Sequence, residues 1–184
     1  MKELSLNILD IAQNSVKANA SVIEITITEN KETLTLLISD NGHGMTDEIL
    51  KNVTDPFCTT RTTRKVGLGI PLLKLSAEQT GGYVAITSRH KDAFPETHGT
   101  ETTALFYKTH IDMTPLGDIS ATVTTLIQCN PHLDFVFKHE TEKGTVALDT
   151  RELKEVLGED VPLNNAQVMA WIGDNLSEQY NEIN

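Results

Sequence analysis

The chain has 184 residues, 39% hydrophobic and 22% charged, enough apolar material for a sizeable core in one domain or one domain with an extension. No apolar run approaches ~18 residues, the first residues hold no signal-peptide core, and two distant cysteines, Cys58 and Cys129, give neither a disulfide framework nor zinc spacing; this argues against a membrane span, a secreted scaffold and a zinc module, and points to the cytosol. The net charge of −11 is unevenly spread, with 11 Lys/Arg against 13 Asp/Glu in residues 1–108 and 4 against 13 in residues 109–184; this argues against a nucleic-acid partner for the C-terminal part, leaves the N-terminal part able to hold a local basic site for phosphates, and marks a boundary near residue 108.

Leu4 to about Ala18 reads as a helix, because Leu4, Ile8, Ile11, Ala12 and Ser15 fall on one stripe. Asp10, Asn14 and Lys17 follow a second stripe on the same helix. Val22 to Thr28 alternates as a strand, and Glu29 to Glu32 turns the chain into a second strand, Thr33 to Ser39. These two are expected to form an antiparallel hairpin. The second strand delivers Asp40-Asn41-Gly42-His43-Gly44-Met45, where a carboxylate stands at a strand end above a glycine floor. Asp-Asn-Gly is also a common surface turn, so the hexapeptide alone leaves both readings open.

Thr46 can cap a short helix to about Asn52, with Asp47 and Glu48 in its first turn. A polar loop from Val53 to Val66 follows, and Gly67-Leu68-Gly69-Ile70-Pro71 opens a helix to about Gln79. Tyr83 to Ser88 and Thr102 to Lys108 read as strands, the latter preceded by Gly99-Thr100. The acidic part reads helix (Pro115 to Cys129), strands (Leu133 to Lys138, Thr145 to Asp149) and two helices (Arg151 to Leu157, Asn164 to Tyr180). The fold class is α+β: a mixed or antiparallel sheet with helices on one face.

Three places can carry chemistry. Gly67 and Gly69 at a helix start suit phosphates, because unpaired backbone N–H groups and the helix dipole point there. Arg61, Arg64 and Lys65 form the densest basic cluster just before them, fit to neutralise phosphate charge or to stand as a solvated loop. Asp10 and Asn14 lie one turn apart, where an amide oxygen could ligate Mg²⁺ and a carboxylate could orient an attacking group.

These motifs in this order resemble the GHKL ATPases, the superfamily of histidine kinases, gyrase, heat-shock chaperones and mismatch-repair proteins. Asp10-x-x-x-Asn14 is similar to its N box and Asp40-x-Gly42-x-Gly44 to its G1 box. Asp55-Pro56-Phe57 is similar to the F box, Gly67-Leu68-Gly69-Ile70 to the G2 box, and Gly99-Thr100 to the last motif. The resemblance covers residues 1 to about 108. It implies a two-layer Bergerat-type α/β sandwich with ATP and Mg²⁺ as cofactors. The acidic α/β extension over 109–184 carries no motif of the family; it is too apolar to stay solvated and is expected to pack on or continue the sandwich. The resemblance implies that Asp40 takes the adenine amine beside Gly42, Gly44 and Met45, and that Thr100 supports Asp40. It further implies that Asn14 ligates Mg²⁺, that Lys17, Gly67, Leu68 and Gly69 meet phosphates, and that residues 55–66 form a lid.

Two departures shape the expected function. The hydrolytic relatives carry Glu where this chain has Asp10, and the shorter arm displaces the carboxylate. The N box begins within the first ten residues, so no dimerisation helix with a phospho-accepting histidine is expected before it. The expected activity is a stand-alone kinase resembling anti-sigma-factor serine kinases or a histidine-kinase catalytic domain, acting on a separate protein, with Asp10 as the catalytic carboxylate. The alternatives are an ATP-gated protein-binding module and a slow ATPase of the chaperone or mismatch-repair kind. A protein phospho-acceptor or binding partner is expected, without nucleic acid or membrane, and a homodimer stays open.

Overall fold

Period-two alternation in six segments builds the sheet. The strands are β1 (Val22–Glu29), β2 (Thr33–Asp40), β3 (Tyr83–Arg89), β4 (Gly99–Tyr107), β5 (Asp134–Thr141) and β6 (Gly144–Asp149). The computed structural model describes residues 3–55, 68–158 and 161–183. The strand order is β3-β4-β2-β1-β5-β6, antiparallel throughout except for the parallel β1–β5 pair. The sheet is therefore mixed. The expected β1–β2 hairpin forms, with Asn30 Oδ1 accepting from the backbone N–H groups of Glu32 and Thr33 to close the turn.

One face of each inner strand is apolar. Ile23, Ile25 and Ile27, Leu34, Leu36 and Ile38, and Phe135 and Phe137 are all nearly inaccessible to solvent. Helices α1 (Leu4–Lys17), α3 (Gly69–Gln79), α4 (Ile119–Cys129) and α6 (Ala166–Ile183) join these side chains in one core. The shorter α2 (Asp47–Asn52) and α5 (Thr150–Leu157) flank the sheet. The alternate residues, such as Glu24, Thr28 and Glu101, are exposed. The result is the expected α+β architecture of the Bergerat type.

Several boundaries differ from the expectation. β4 begins at Gly99 instead of Thr102, because pairing with β2 continues to Thr100 opposite Asp40. α4 begins at Ile119, four residues after Pro115, with Asp118 Oδ1 accepting from Ala121 N. Pro115 and Leu116 serve a different end: their carbonyls accept from Leu4 N and Ser5 N, both at 2.9 Å. Glu3 gives α1 no side-chain cap. Backbone from the acidic part thus satisfies two of the four N–H groups that a helix start leaves unpaired. At the far edge, Gln179 of α6 accepts from Ala147 N and donates to Ala147 O, so β6 is covered by a side-chain amide.

A partly buried polar chain crosses from β1 to the acidic part. Tyr180 Oη lies 2.8 Å from His139 Nδ1, His139 Nε2 lies 3.1 Å from Glu29 Oε1, and Lys108 Nζ donates to Glu29 Oε2 at 2.6 Å. The Tyr180 hydroxyl has a proton to give and the Glu29 carboxylate has none, so Nδ1 accepts and Nε2–H donates in neutral His139. Burial lowers the His139 pKa, against the raising influence of Glu29, and burial pushes the Tyr180 hydroxyl above the usual phenol range. A histidine whose folded pKa lies below 6.5 binds fewer protons when folded than when unfolded. Its stability contribution is complete above pH 6.5 and is lost as pH falls below that value toward the lowered folded pKa. We expect the melting temperature to drop between pH 7.5 and 5.5, with a slope from this group of at most about 1.4 kcal/mol per pH unit. His139→Gln should flatten that dependence. Parallel pH profiles for native and variant proteins would reject the assignment.

Candidate nucleotide site

The C-terminal half of α1, the end of β2, the start of β4 and the first turn of α3 converge on one cavity of about 260 Å³. Its walls are apolar, supplied by Ile11, Ile38, Met45, Ile49, Val53 and Ile70. Its polar side chains are few: Asn14, Ser15, Lys17, Asp40, His43, Thr100 and Thr102. An apolar slot with a few convergent polar groups is the usual build of a small-molecule site.

Asp40 sits where β2 ends, and its carboxylate is held on both oxygens. Ser15 Oγ donates to Oδ2 at 2.6 Å and Gly42 N donates to Oδ1 at 2.9 Å. Gly42 is buried against α1; a Cβ there would lie 2.8 Å from both the Cβ and the carbonyl oxygen of Ala18. Gly44 has a φ of 68°, and its Cβ would lie 2.0 Å from Arg89 O. Both glycines are required because the loop runs flush between α1 and the end of β3. Asn41 has a structural part, accepting from Ser21 N and Val22 N through its Oδ1 and so stapling the loop to the start of β1.

The loop is also clasped from β3 and β4. Met45 N donates to Ser88 Oγ at 2.8 Å, and Ser88 Oγ lies 2.8 Å from Thr100 Oγ1. His98 Nδ1 lies 2.6 Å from Gly42 O, which makes it the donor in that tautomer. Thr100 faces Asp40 across the β2–β4 ladder, while its hydroxyl is engaged by Ser88. Among the described residues, the hydrogen bonds on the Asp40 carboxylate come from Ser15 and Gly42.

Asn14 and Lys17 line the cavity from α1 as their spacing requires, and Gly69 lines it from α3. Asp10, Gly42 and Leu68 are not in the lining. Asp10 instead abuts the first turn of α3: a Cβ at Gly69 would lie 3.2 Å from Asp10 Cβ and 3.7 Å from Asp10 Oδ2. Leu68 gives α3 no side-chain cap, so among the described residues that end is suited to an anion. Thr46 caps α2 as expected, accepting from Ile49 N. Arg61, Arg64, Lys65 and Gly67, and all of the expected 55–66 lid but Asp55, lie outside the described residues.

Ser15, Ser88, Asn41 and His98 were not legible as site residues. Ser15 sits on the apolar stripe of α1 and reads as a small core residue. Ser88 ends a strand pattern, and His98 lies in a polar loop. Only their tertiary partners give them a place.

The sequence profile described as "Histidine kinase-, DNA gyrase B-, and HSP90-like ATPase" matches residues 2–110. A curated relative, "Sensor protein KdpD" of Clostridium acetobutylicum, is 31% identical over 94 residues, covering 48% of this chain and 10% of that protein. "Putative sensor histidine kinase NtrY-like" of Rickettsia conorii is 26% identical over 93 residues, covering 50% and 15% respectively. "Sporulation kinase A" of Bacillus subtilis is 26% identical over 96 residues, covering 52% and 15%. The matched region thus spans a small part of these relatives' own length. The solved structure titled "Crystal Structure of N terminal domain of a DNA repair protein" superposes with a TM-score of 0.56 at 17% identity, over 86% of this chain and 58% of that one, a likeness of fold. The profile match runs from α1 through β4, more than half of the chain, and carries every element that forms the cavity: this chain belongs to the histidine kinase-, DNA gyrase B- and HSP90-like ATPase family.

Proposed function

We propose that the cavity binds Mg·ATP and that the chain is a stand-alone protein kinase that phosphorylates a separate protein. The observation that carries the reading is the Asp40 carboxylate, held on both oxygens in an apolar slot that the start of α3 also lines. An ionised carboxylate accepts and cannot donate, so it selects a base edge bearing an amine. The slot walls would take the flat ring, and the α3 N-terminus the phosphates. Asn14 offers a neutral hard oxygen on that route. Among the described residues no cluster of three His, Cys, Asp or Glu could hold a metal, so Mg²⁺ would be held largely by phosphates and water, with Asn14 as the protein ligand. When bound, Mg²⁺ supplies charge neutralisation on the phosphates. Lys17 stands three residues along α1 from Asn14 and would share that task.

Asp10 abuts Gly69 and could orient a water or an acceptor hydroxyl at the start of α3. That same observation supports a second reading, an ATP-gated binding module. Asp10 is not in the cavity lining, and nothing then needs deprotonating. Calorimetry and labelled-phosphate transfer to lysate proteins separate the two. In the kinase reading, Asp10→Asn keeps ATP affinity and lowers transfer by ~10²–10⁴-fold. Asn14→Ala weakens Mg·ATP more than metal-free ATP. Identical output from native protein and Asp10→Asn, with no labelled acceptor, would establish the binding module instead.

A further inference from the structure

A serine inside a helix usually returns its hydroxyl to a carbonyl one turn back. Ser15 does not. It is 4% exposed, and its hydroxyl reaches 2.6 Å to Asp40 Oδ2, a residue 25 positions away. That length belongs to charge-assisted O–H···O⁻ bonds, which are stronger than neutral ones. Because an ionised carboxylate has no proton to offer, Ser15 is the donor. The second oxygen is fixed by Gly42 N, which belongs to a loop clamped by β3 and β4. The two donors come from different elements, α1 and the glycine loop. Together they fix the plane of the carboxylate about its Cβ–Cγ bond.

We propose that Ser15 is a positioning residue that sets the base specificity of the cavity: by holding the Asp40 carboxylate edge toward the slot, it makes the site select a purine bearing a 6-amino group. The proposal rests on the nucleotide reading above and adds a mechanism to it. Without the hydroxyl, the carboxylate keeps only the Gly42 N–H and can rotate. Its bond to a ligand amine then loses alignment, while contacts to the rest of the ring are untouched. The neighbouring hydroxyl at Thr100 is engaged by Ser88. A serine that merely stabilised the fold would affect every nucleotide alike.

The ligand itself supplies the second arm of the test. Purine riboside triphosphate has hydrogen where ATP has its 6-amino group, and so makes no bond to Asp40. Both are titrated calorimetrically, with Mg²⁺, into the full chain and into Ser15→Ala. Alanine is the strongest helix former, so α1 should persist, and nucleotide-free melting verifies it. The native protein should prefer ATP by ~10–100-fold, the range for one hydrogen bond to a charged group. Ser15→Ala should shrink that preference by ~3–10-fold while binding of purine riboside triphosphate stays within about twofold. Ser15→Cys, a weak donor, should fall between the two. An unchanged preference in Ser15→Ala, or equal losses for both nucleotides, overturns the proposal. A native protein that binds both nucleotides equally, or neither, overturns the nucleotide reading beneath it, and this result is visible before any variant is made.

Discussion

Asp40→Asn is expected to weaken ATP binding by on the order of 10²-fold while leaving the melting temperature of the nucleotide-free protein within a few degrees. The side chain has two fixed partners. Gly42 N can only donate, so the amide must turn its oxygen toward Gly42. Its NH₂ group then occupies the place of Oδ2, beside the Ser15 hydroxyl, which can rotate and accept. The fold is therefore satisfied by the amide, whereas the ligand is not. A 6-amino purine would meet a donor where it needs an acceptor. The charge-assisted bond, worth ~1.5–3 kcal/mol, is lost and donor–donor repulsion is added. GTP, whose ring presents a carbonyl at that edge, should bind the native protein poorly and should gain relative to ATP in the variant. Calorimetry of the two nucleotides against both proteins measures this directly. Equal ATP affinity in native and Asp40→Asn proteins would remove Asp40 from the site.

A chain ending at Lys108 is expected to lose cooperative melting and to aggregate. The division at that residue follows charge, yet the sheet does not divide there. β1 pairs along seven residues with β5, from Val22–Asp134 to Thr28–Glu140. Cutting after Lys108 leaves β1 as a long unpaired edge rich in Ile and Thr, a template for association. It removes Phe135, Phe137, Leu126 and Ile127 from the core, each worth ~1.5–3 kcal/mol of burial. It also strips the Pro115 and Leu116 carbonyls from the first turn of α1, the helix that carries Asn14 and Ser15. We therefore propose that residues 109–184 are structurally obligatory for the site. A soluble 1–108 fragment with full ATP affinity and a sharp melting transition would show that they form a separate unit.

What the sequence disclosed follows from the range of each interaction. The β1–β2 hairpin, the cap at Thr46 and the glycine loop after Asp40 rest on residues close in sequence, and their patterns were readable. The neighbour of β1 was not. Alternation in Leu133 to Lys138 shows that a strand forms, but carries no information on which edge it joins. Pro115 illustrates a competing rule: proline suits a helix's first turn, yet here its carbonyl serves α1 and the helix waits for the Asp118 cap. Asn7 marks the limit of pattern reading on α1. It lies fully buried, and its amide atoms find no partner among the described residues, which no spacing rule anticipates. Ser15 was hidden because a small polar residue on an apolar stripe is ordinary, and its meaning lies in a carboxylate 25 residues away.

The first helix is pinned at one end by the Pro115 and Leu116 carbonyls and at the other by the carboxylate of Asp40. Between those pins it behaves as a gauge of fixed length. Each residue added or removed turns everything beyond it by about 100° and shifts it by about 1.5 Å. One extra residue between Ser5 and Asn14 would swing Asn14 and Ser15 away from the cavity together, or tear Leu4 and Ser5 from their acceptors. Point changes along this stretch are tolerable wherever size and polarity allow. Changes in length are not, so sequences descended from a common ancestor with this chain should align across Ser5 to Ser15 without a gap even where few letters agree.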